Sequence, residues 1–421
     1  MTEQPSQQPV RPPGAVEPAR LILAVLGLTF VMNMVARGMG ETFAVFLLPV
    51  QQDSGWSRAD MTGVYSIYML VHGLSAPLAG LLFDRLGSRW LYATGVCLLG
   101  GGFFLAGEAN TLWQYYLAAG VMVGTGVSAM GMVPASALLS RWFTGRLGSV
   151  MGLAYAAMGM GVLILLPATQ LLLEHMGWRD VYHVLGLAIL TLLLPVILLP
   201  LARLTRGSDA WRHTRTIPAA QSPWTLKTAL RTRAFWGLFF VFFFTSFAAY
   251  SILPQAVAYL VELGFDPITA ASAFGFTGLL SVVGMVSVGW LSDRFGRRLT
   301  VTLSYASSLT GIFCIIAVAW YPSLILVYGF VLFFGISQGA RGPVVSTLAA
   351  VLFPGGGIGG IYGAITLGLG LGGAAGSWGS GLLQEMTGGY FLSFSLAAVA
   401  SALGLLQFWV IRALGEPDRG R

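Results

Sequence analysis

Gly80-Leu-Leu-Phe-Asp84-Arg85-Leu-Gly87-Ser-Arg89 and Gly289-Trp-Leu-Ser-Asp293-Arg294-Phe-Gly296-Arg-Arg298 share one pattern, Gly-x-x-x-Asp-Arg-x-Gly-x-Arg, at an offset of 209 residues. Each copy lies between two apolar segments. Further along, the offset becomes 211: Gly124 matches Gly335, Gly131 Gly342, Gly152 Gly363, Gly159 Gly370, Glu174 Glu385 and Gly177 Gly388. The chain is therefore one unit written twice. Duplicated apolar halves predict a membrane transporter whose site lies between the repeats, near the bilayer midplane.

Composition agrees. Of 421 residues, 56% are hydrophobic and 9% charged, against about 25% charged in a soluble domain. There are 56 glycines and 26 phenylalanines, and Lys227 is the one lysine. A soluble enzyme, a disordered tail protein and a disulfide scaffold are all excluded. Twelve apolar segments can be marked, at 21–50, 59–83, 90–108, 112–140, 148–173, 179–202, 234–261, 268–292, 299–319, 323–352, 358–384 and 390–413. Each reaches the roughly 20 residues a helix needs to span a bilayer. Barrel strands would be short and alternating. The predicted fold is all-α and integral to the membrane: twelve transmembrane helices in two pseudo-symmetric six-helix halves. The division runs 1–20, a Pro/Gln-rich disordered terminus; 21–202, the first half; 203–233, a basic central loop; 234–413, the second half; and 414–421, a tail.

The distribution of charge tests this layout. With the N-terminus inside, 19 of the 23 basic residues fall in inner loops and termini, and Arg58 and Arg179 fall outside. The positive-inside rule then predicts both termini in the cytoplasm and a multi-pass protein of the cell's inner (plasma) membrane. The net charge of +7 does not indicate nucleic acid, because the arginines are scattered between apolar runs. Cys97 and Cys314 lie in separate segments without paired Cys or His, so neither metal nor redox chemistry is expected. No Gly-x-x-x-x-Gly-Lys-Ser/Thr loop is present, and the run Pro354-Gly355-Gly356-Gly357 reads as a turn. No Ser/His/Asp arrangement stands out, so neither an enzyme nor a cofactor is expected.

The duplicated loop resembles the loop motif of the major facilitator superfamily. That resemblance covers about residues 20–413 and implies the twelve-helix fold, a monomer, and a central cavity lined by helices 1, 4, 7 and 10. It also implies a conformational clasp between neighbouring helices, made by Asp84, Arg85 and Arg89 in one half and by Asp293, Arg294 and Arg298 in the other. A narrower resemblance is to the branch of monocarboxylate transporters and oxalate/formate antiporters. It rests on Gly55-Trp56-Ser57-Arg58, on Arg141-Trp142-Phe143-x-x-Arg146 followed by Gly148, Gly152, Ala156, Gly159 and Gly161, and on Gly177-Trp178-Arg179. Members of the monocarboxylate group carry an Asp/Arg pair within helix 8. Here that helix has no charge before Asp293, so an anion anchor has to lie elsewhere.

Three strong charges fall well inside spans: Arg37, Glu41 and Arg341. A charge at the bilayer centre costs on the order of 3 kcal/mol, so such residues face a cavity or a partner. A guanidinium presents a planar fork of donors that matches a carboxylate. Arg341 is the expected anion anchor, set among glycines and a proline, with Gln338 one turn away. Arg37 and Glu41 share a helix face and can either pair or act in transport. In the second case Glu41 carries a proton: a substrate that captures Arg37 removes its support and favours protonation. His72 is a second candidate proton carrier. Asn33, Tyr155, Tyr250, Gln255 and Tyr362 complete the expected binding set. The reading is proton-coupled symport of a small organic anion, a monocarboxylate, with lipid as the only other partner. Anion exchange, proton-driven drug efflux and a non-transporting membrane sensor are the rivals.

Overall fold

Polar residues between the apolar segments start the helices. Ser57 accepts from the Asp60 amide while the Asp60 carboxylate accepts from the Ser57 amide. Thr232 caps through the Phe235 amide and Ser323 through that of Ile325. Each satisfies one of the amide donors that a helix start leaves open. The structure, a computed structural model, describes residues 19–143, 147–198, 204, 224–353 and 358–415, and within them every regular element is helical.

The twelve spans follow in order. Span 1 is Ala19–Glu41, continued past Thr42 by Phe43–Ser54. Spans 2 and 3 are one helical run, Arg58–Gly107, interrupted at Gly87. Span 4, Leu112–Trp142, contains a π-helical stretch at Tyr116–Met122 and a break at Gly131. Span 5 is Leu147–His175; span 6 is Trp178–Leu190 with Leu193–Leu198. Spans 7 to 12 are Arg233–Glu262, Pro267–Phe295, Arg297–Ala317, Leu324–Leu352, Ile358–Thr387 and Phe391–Val410.

Among the described residues, ten helices are apolar enough to cross a membrane; spans 2 and 11 are the two that complete the twelve. They pack against each other between the halves. Ser66 Oγ donates to the Ala374 carbonyl (2.8 Å) and Ser377 Oγ to that of Thr62 (3.1 Å). Where these helices face protein rather than lipid, small and polar residues allow close approach.

The duplication holds in three dimensions. Gly87 has φ 81° and ψ 171°, and Gly296 has φ 82° and ψ 154°. That region is essentially closed to residues with a side chain. Each motif glycine thus makes the same corner in its own half. The helix crossings repeat as well. A methyl group at Gly161 would collide with the Met34 carbonyl, and one at Gly372 with the Phe243 carbonyl. Met34 and Phe243 are themselves related by the offset of 209.

Spans 1 and 7, read from the sequence direction, define a face carrying the described chain ends and an opposite face. On the opposite face the halves are fastened together. Arg58 pairs with Glu262, the Tyr390 hydroxyl donates to Glu262 Oε2 (2.8 Å), and the Ala59 amide donates to Glu385 Oε2 (3.2 Å). The motif around Trp178 ties loops on the same face. Its indole donates to Asp53 Oδ2 (2.9 Å), and Arg179 Nη1 donates to the Gly107 and Ala109 carbonyls (both 2.9 Å).

Several sequence expectations lie outside the described residues: the terminus at 1–18, Arg146, most of the central loop, the turn at Pro354–Gly357, the tail from 416, and the side chains of Asp84 and Asp293.

Candidate functional site

Between the halves lies a cavity of about 310 Å³. Its wall residues come from spans 1, 5, 7, 8, 10 and 11. This corrects the expectation of helices 1, 4, 7 and 10: no described wall residue belongs to span 4. The glycines of span 4 draw it back onto its neighbours. A Cβ at Gly124 would sit 2.8 Å from the Tyr68 carbonyl, and one at Gly126 2.6 Å from the Leu99 amide. The wall residues Tyr155, Phe242, Met285 and Gly342 lie in the terminal-face halves of their helices, and a methyl at Gly342 would meet nothing within 4 Å.

Arg341 is buried, with 4% of its surface exposed, and its guanidinium carbon lies 4.1 Å from the centroid of the Tyr305 ring. The Tyr305 hydroxyl shares a hydrogen bond with Thr245 Oγ1 (2.8 Å), itself a wall residue. Neither Nε nor Nη2 of Arg341 has a hydrogen-bond partner, and the neighbouring Gln338 Nε2 also has none. A buried charge with idle donors is costly unless a ligand satisfies it. Arg341 and Gln338 both line the cavity, and these donor atoms are themselves buried in its wall.

Arg37 is differently placed. Its Nη2 lies 2.7 Å from Glu41 Oε1 and donates to the Tyr250 hydroxyl (3.1 Å). Glu41 is 2% exposed and accepts from the Tyr65 hydroxyl at Oε2 (2.9 Å). The two charges therefore neutralise each other on the cavity wall. Rings continue behind them: Tyr250 to Tyr65 at 5.9 Å, Tyr65 to Tyr68 at 5.1 Å, and Tyr68 to His72 at 6.1 Å between centroids.

Of the residues singled out from the sequence, Arg37, Glu41, Tyr155, Tyr250, Gln338 and Arg341 line the cavity. His72 stands at the far end of the ring row, with Nδ1 buried and unpartnered. Asn33 turns its Nδ2 to the Thr29 carbonyl (2.8 Å), and Gln255 donates from Nε2 to Ser380 Oγ (2.6 Å). Tyr362 packs on the wall residue Phe242, with centroids 6.4 Å apart. These three are not wall residues. Arg89 donates to the Ile197 carbonyl (3.2 Å), Arg298 covers Trp409 (4.9 Å), Arg294 lies near Phe295 (5.8 Å), and Arg85 is exposed.

Sequence reading missed Tyr305, Thr245 and Tyr65, which position the charges, and the apolar wall of Phe242, Phe274 and Met285. The repeat itself pointed to another wall residue, Ser246, and supported Tyr250. At the offset of 209, Arg37 and Glu41 correspond to Ser246 and Tyr250, both of which line the cavity.

The comparisons with known proteins agree with this geometry. The family model of the Major Facilitator Superfamily matches residues 26–377. Monocarboxylate transporter 13 of Rattus norvegicus is 29% identical over 377 residues, covering 87% of this chain and 83% of that protein. The MFS-type transporter YcxA of Bacillus subtilis is 25% identical over 389 residues, covering 89% and 91%. Among solved structures, a D-xylose-proton symporter superposes with a TM-score of 0.71 at 13% identity, covering 93% of this chain and 98% of that one. A bacterial homologue of the lysosomal transporter Spinster, inward-facing and occupied, gives a TM-score of 0.69 at 16% identity, covering 95% and 96%. The two repeated halves, the shared motif corner and the central cavity are those of one transporter family: the chain belongs to the major facilitator superfamily.

Proposed function

We propose that this multi-pass membrane transporter moves a small organic anion, a monocarboxylate, in symport with a proton, by alternating access between its two halves. The observation that carries the reading is Arg341: a buried guanidinium on the cavity wall, with Nε and Nη2 unpartnered and, among the described residues, no carboxylate beside it. Cationic cargo is disfavoured, because Glu41 already holds Arg37 and Tyr65. The relatives named as monocarboxylate transporters support the substrate class.

Arg37 lies near the middle of span 1, whereas Arg341 lies closer to the terminal end of span 10. An anion entering from the terminal face meets Arg341 first. Arg37 and Glu41 supply the coupling. A carboxylate that draws Arg37 away leaves Glu41 without its cation and raises its affinity for a proton. By linkage, a proton on Glu41 releases Arg37 toward the carboxylate. The loaded cavity then allows the halves to rock, and Arg58–Glu262 on the opposite face opens as the clasp residues of the motif loops engage. In this reading both termini are cytoplasmic at the inner (plasma) membrane, which the arginine distribution supports; the cavity opens inward and the transporter acts as a monomer.

Proteoliposomes test this. Uptake of a labelled monocarboxylate is expected to rise under an inward proton gradient and to fall when a protonophore collapses it. Uptake indifferent to the gradient would leave an exchanger rather than a symporter.

A further inference from the structure

Resting on the anion reading just given, we infer that the cavity selects a monoanion with a bulky apolar body, an aryl-substituted monocarboxylate, over short-chain acids, dicarboxylates and polyols. Three observations carry this.

The first is charge. The strongly charged wall residues are Arg37, Glu41 and Arg341, and the first two form an ion pair. One positive charge remains uncompensated, which matches one carboxylate. A second carboxylate would have to take Arg37, which is either paired with Glu41 or, once Glu41 is protonated, turned to the first carboxylate. A substrate ammonium would find its only acid already occupied.

The second is size. The cavity measures about 310 Å³, roughly twice the ~150 Å³ of an apolar cavity that binds benzene. A ring and its carboxylate-bearing arm fit; a two- or three-carbon acid leaves most of the space to water.

The third is the wall chemistry. The apolar side chains Met158, Val162, Phe242, Leu253, Phe274 and Met285 dominate the wall. Its serine and threonine hydroxyls are already hydrogen-bonded within the protein. Ser246 donates to the Leu369 carbonyl (2.6 Å), Thr277 to that of Phe274 (2.6 Å), and Ser281 to that of Gly278 (2.7 Å); Thr245 is shared with Tyr305. Hydroxyl groups of a polyol or a small hydroxy acid would find few free donors beyond those of Arg341, Gln338, Tyr155 and Tyr250. An apolar body needs none.

Titration calorimetry on the purified full-length protein decides the matter, with phenylacetate, acetate, lactate and 2-phenylsuccinate as ligands. Phenylacetate is expected to bind at least about tenfold more tightly than acetate or lactate, from burial of the ring. It is also expected to bind more tightly than 2-phenylsuccinate, and Arg341→Gln is expected to abolish binding. Equal affinities for acetate and phenylacetate, both lost in Arg341→Gln, would overturn the size selection and leave the anion reading standing. Tighter binding of 2-phenylsuccinate would overturn the single-charge argument. Acids that bind equally well to Arg341→Gln, or none that bind at all, would overturn the anion reading and this inference with it.

Discussion

Arg341 sits with its guanidinium carbon 4.1 Å from the centroid of the Tyr305 ring, and Thr245 fixes that ring from the cavity side through a 2.8 Å hydrogen bond. The ring face offers the buried cation partial compensation without occupying its donors. Tyr305 therefore aims Arg341 while leaving Nε and Nη2 without hydrogen-bond partners.

Removing the ring should weaken the anion site. Tyr305→Leu forfeits about 1–2 kcal/mol of cation–π stabilisation and is expected to reduce anion affinity by roughly tenfold. Tyr305→Phe keeps the ring and loses only the tie to Thr245, so a smaller loss is expected. Binding isotherms of the two variants against wild type check the order.

Glu41→Gln is expected to spare exchange of labelled for unlabelled anion and to remove proton-driven accumulation, because a neutral amide cannot alternate between pairing with Arg37 and holding a proton. Counterflow and gradient-driven uptake, measured on the same proteoliposomes, separate the two. Intact accumulation would assign the proton to another group, His72 first.

The pair Arg58–Glu262 fastens the opposite face, with Arg58 5% exposed and Glu262 37% exposed. Glu262→Gln leaves the arginine buried without its anion. The cost, moderated by solvent at Glu262, is on the order of 1–2 kcal/mol, a shift of roughly tenfold toward the state open on that face. Cysteine accessibility at the ends of spans 2 and 7 should rise accordingly. Accessibility unchanged in Glu262→Gln would show that the remaining contacts, Tyr390 and Glu385 among them, hold the face alone.

Gly161→Ala and Gly372→Ala should each destabilise the fold by about 1–3 kcal/mol, because the new methyl meets a backbone carbonyl that cannot move aside. Gly152→Ala, with nothing within 4 Å, should be neutral or slightly stabilising. Thermal melting in detergent ranks the three.

The fold could be read from the sequence because two signals in it are long and redundant: the apolar runs and the offsets of 209 and 211 between the halves. Gly87 and Gly296 show why the motif copies matter, since both make the same glycine-only corner. The charged residues of the site were visible for the opposite reason: Arg37, Glu41 and Arg341 are rare events inside apolar helices. What was hidden is how the charges divide. Spacing along span 1 allowed Arg37 and Glu41 to pair or to separate, and only the fold shows Tyr65 and Tyr250 closing around the pair. Tyr305 was hidden because an aromatic residue in a span looks like packing until an arginine from another helix lies across its face. Asn33 and Gln255 show the converse. Their polarity suggested a binding stripe, but their amides turn to Thr29 and Ser380.

The central claim is that Arg341 holds the carboxylate of the transported anion. Ligand-induced thermal stabilisation of wild type, Arg341→Lys and Arg341→Gln, with phenylacetate and acetate each titrated to saturation, tests it most directly. Wild type is expected to show a concentration-dependent rise in melting temperature, the lysine variant, which keeps the charge but loses the planar fork, a reduced rise, and the glutamine variant none. An undiminished rise in Arg341→Gln would contradict it and place the anion site elsewhere in the cavity.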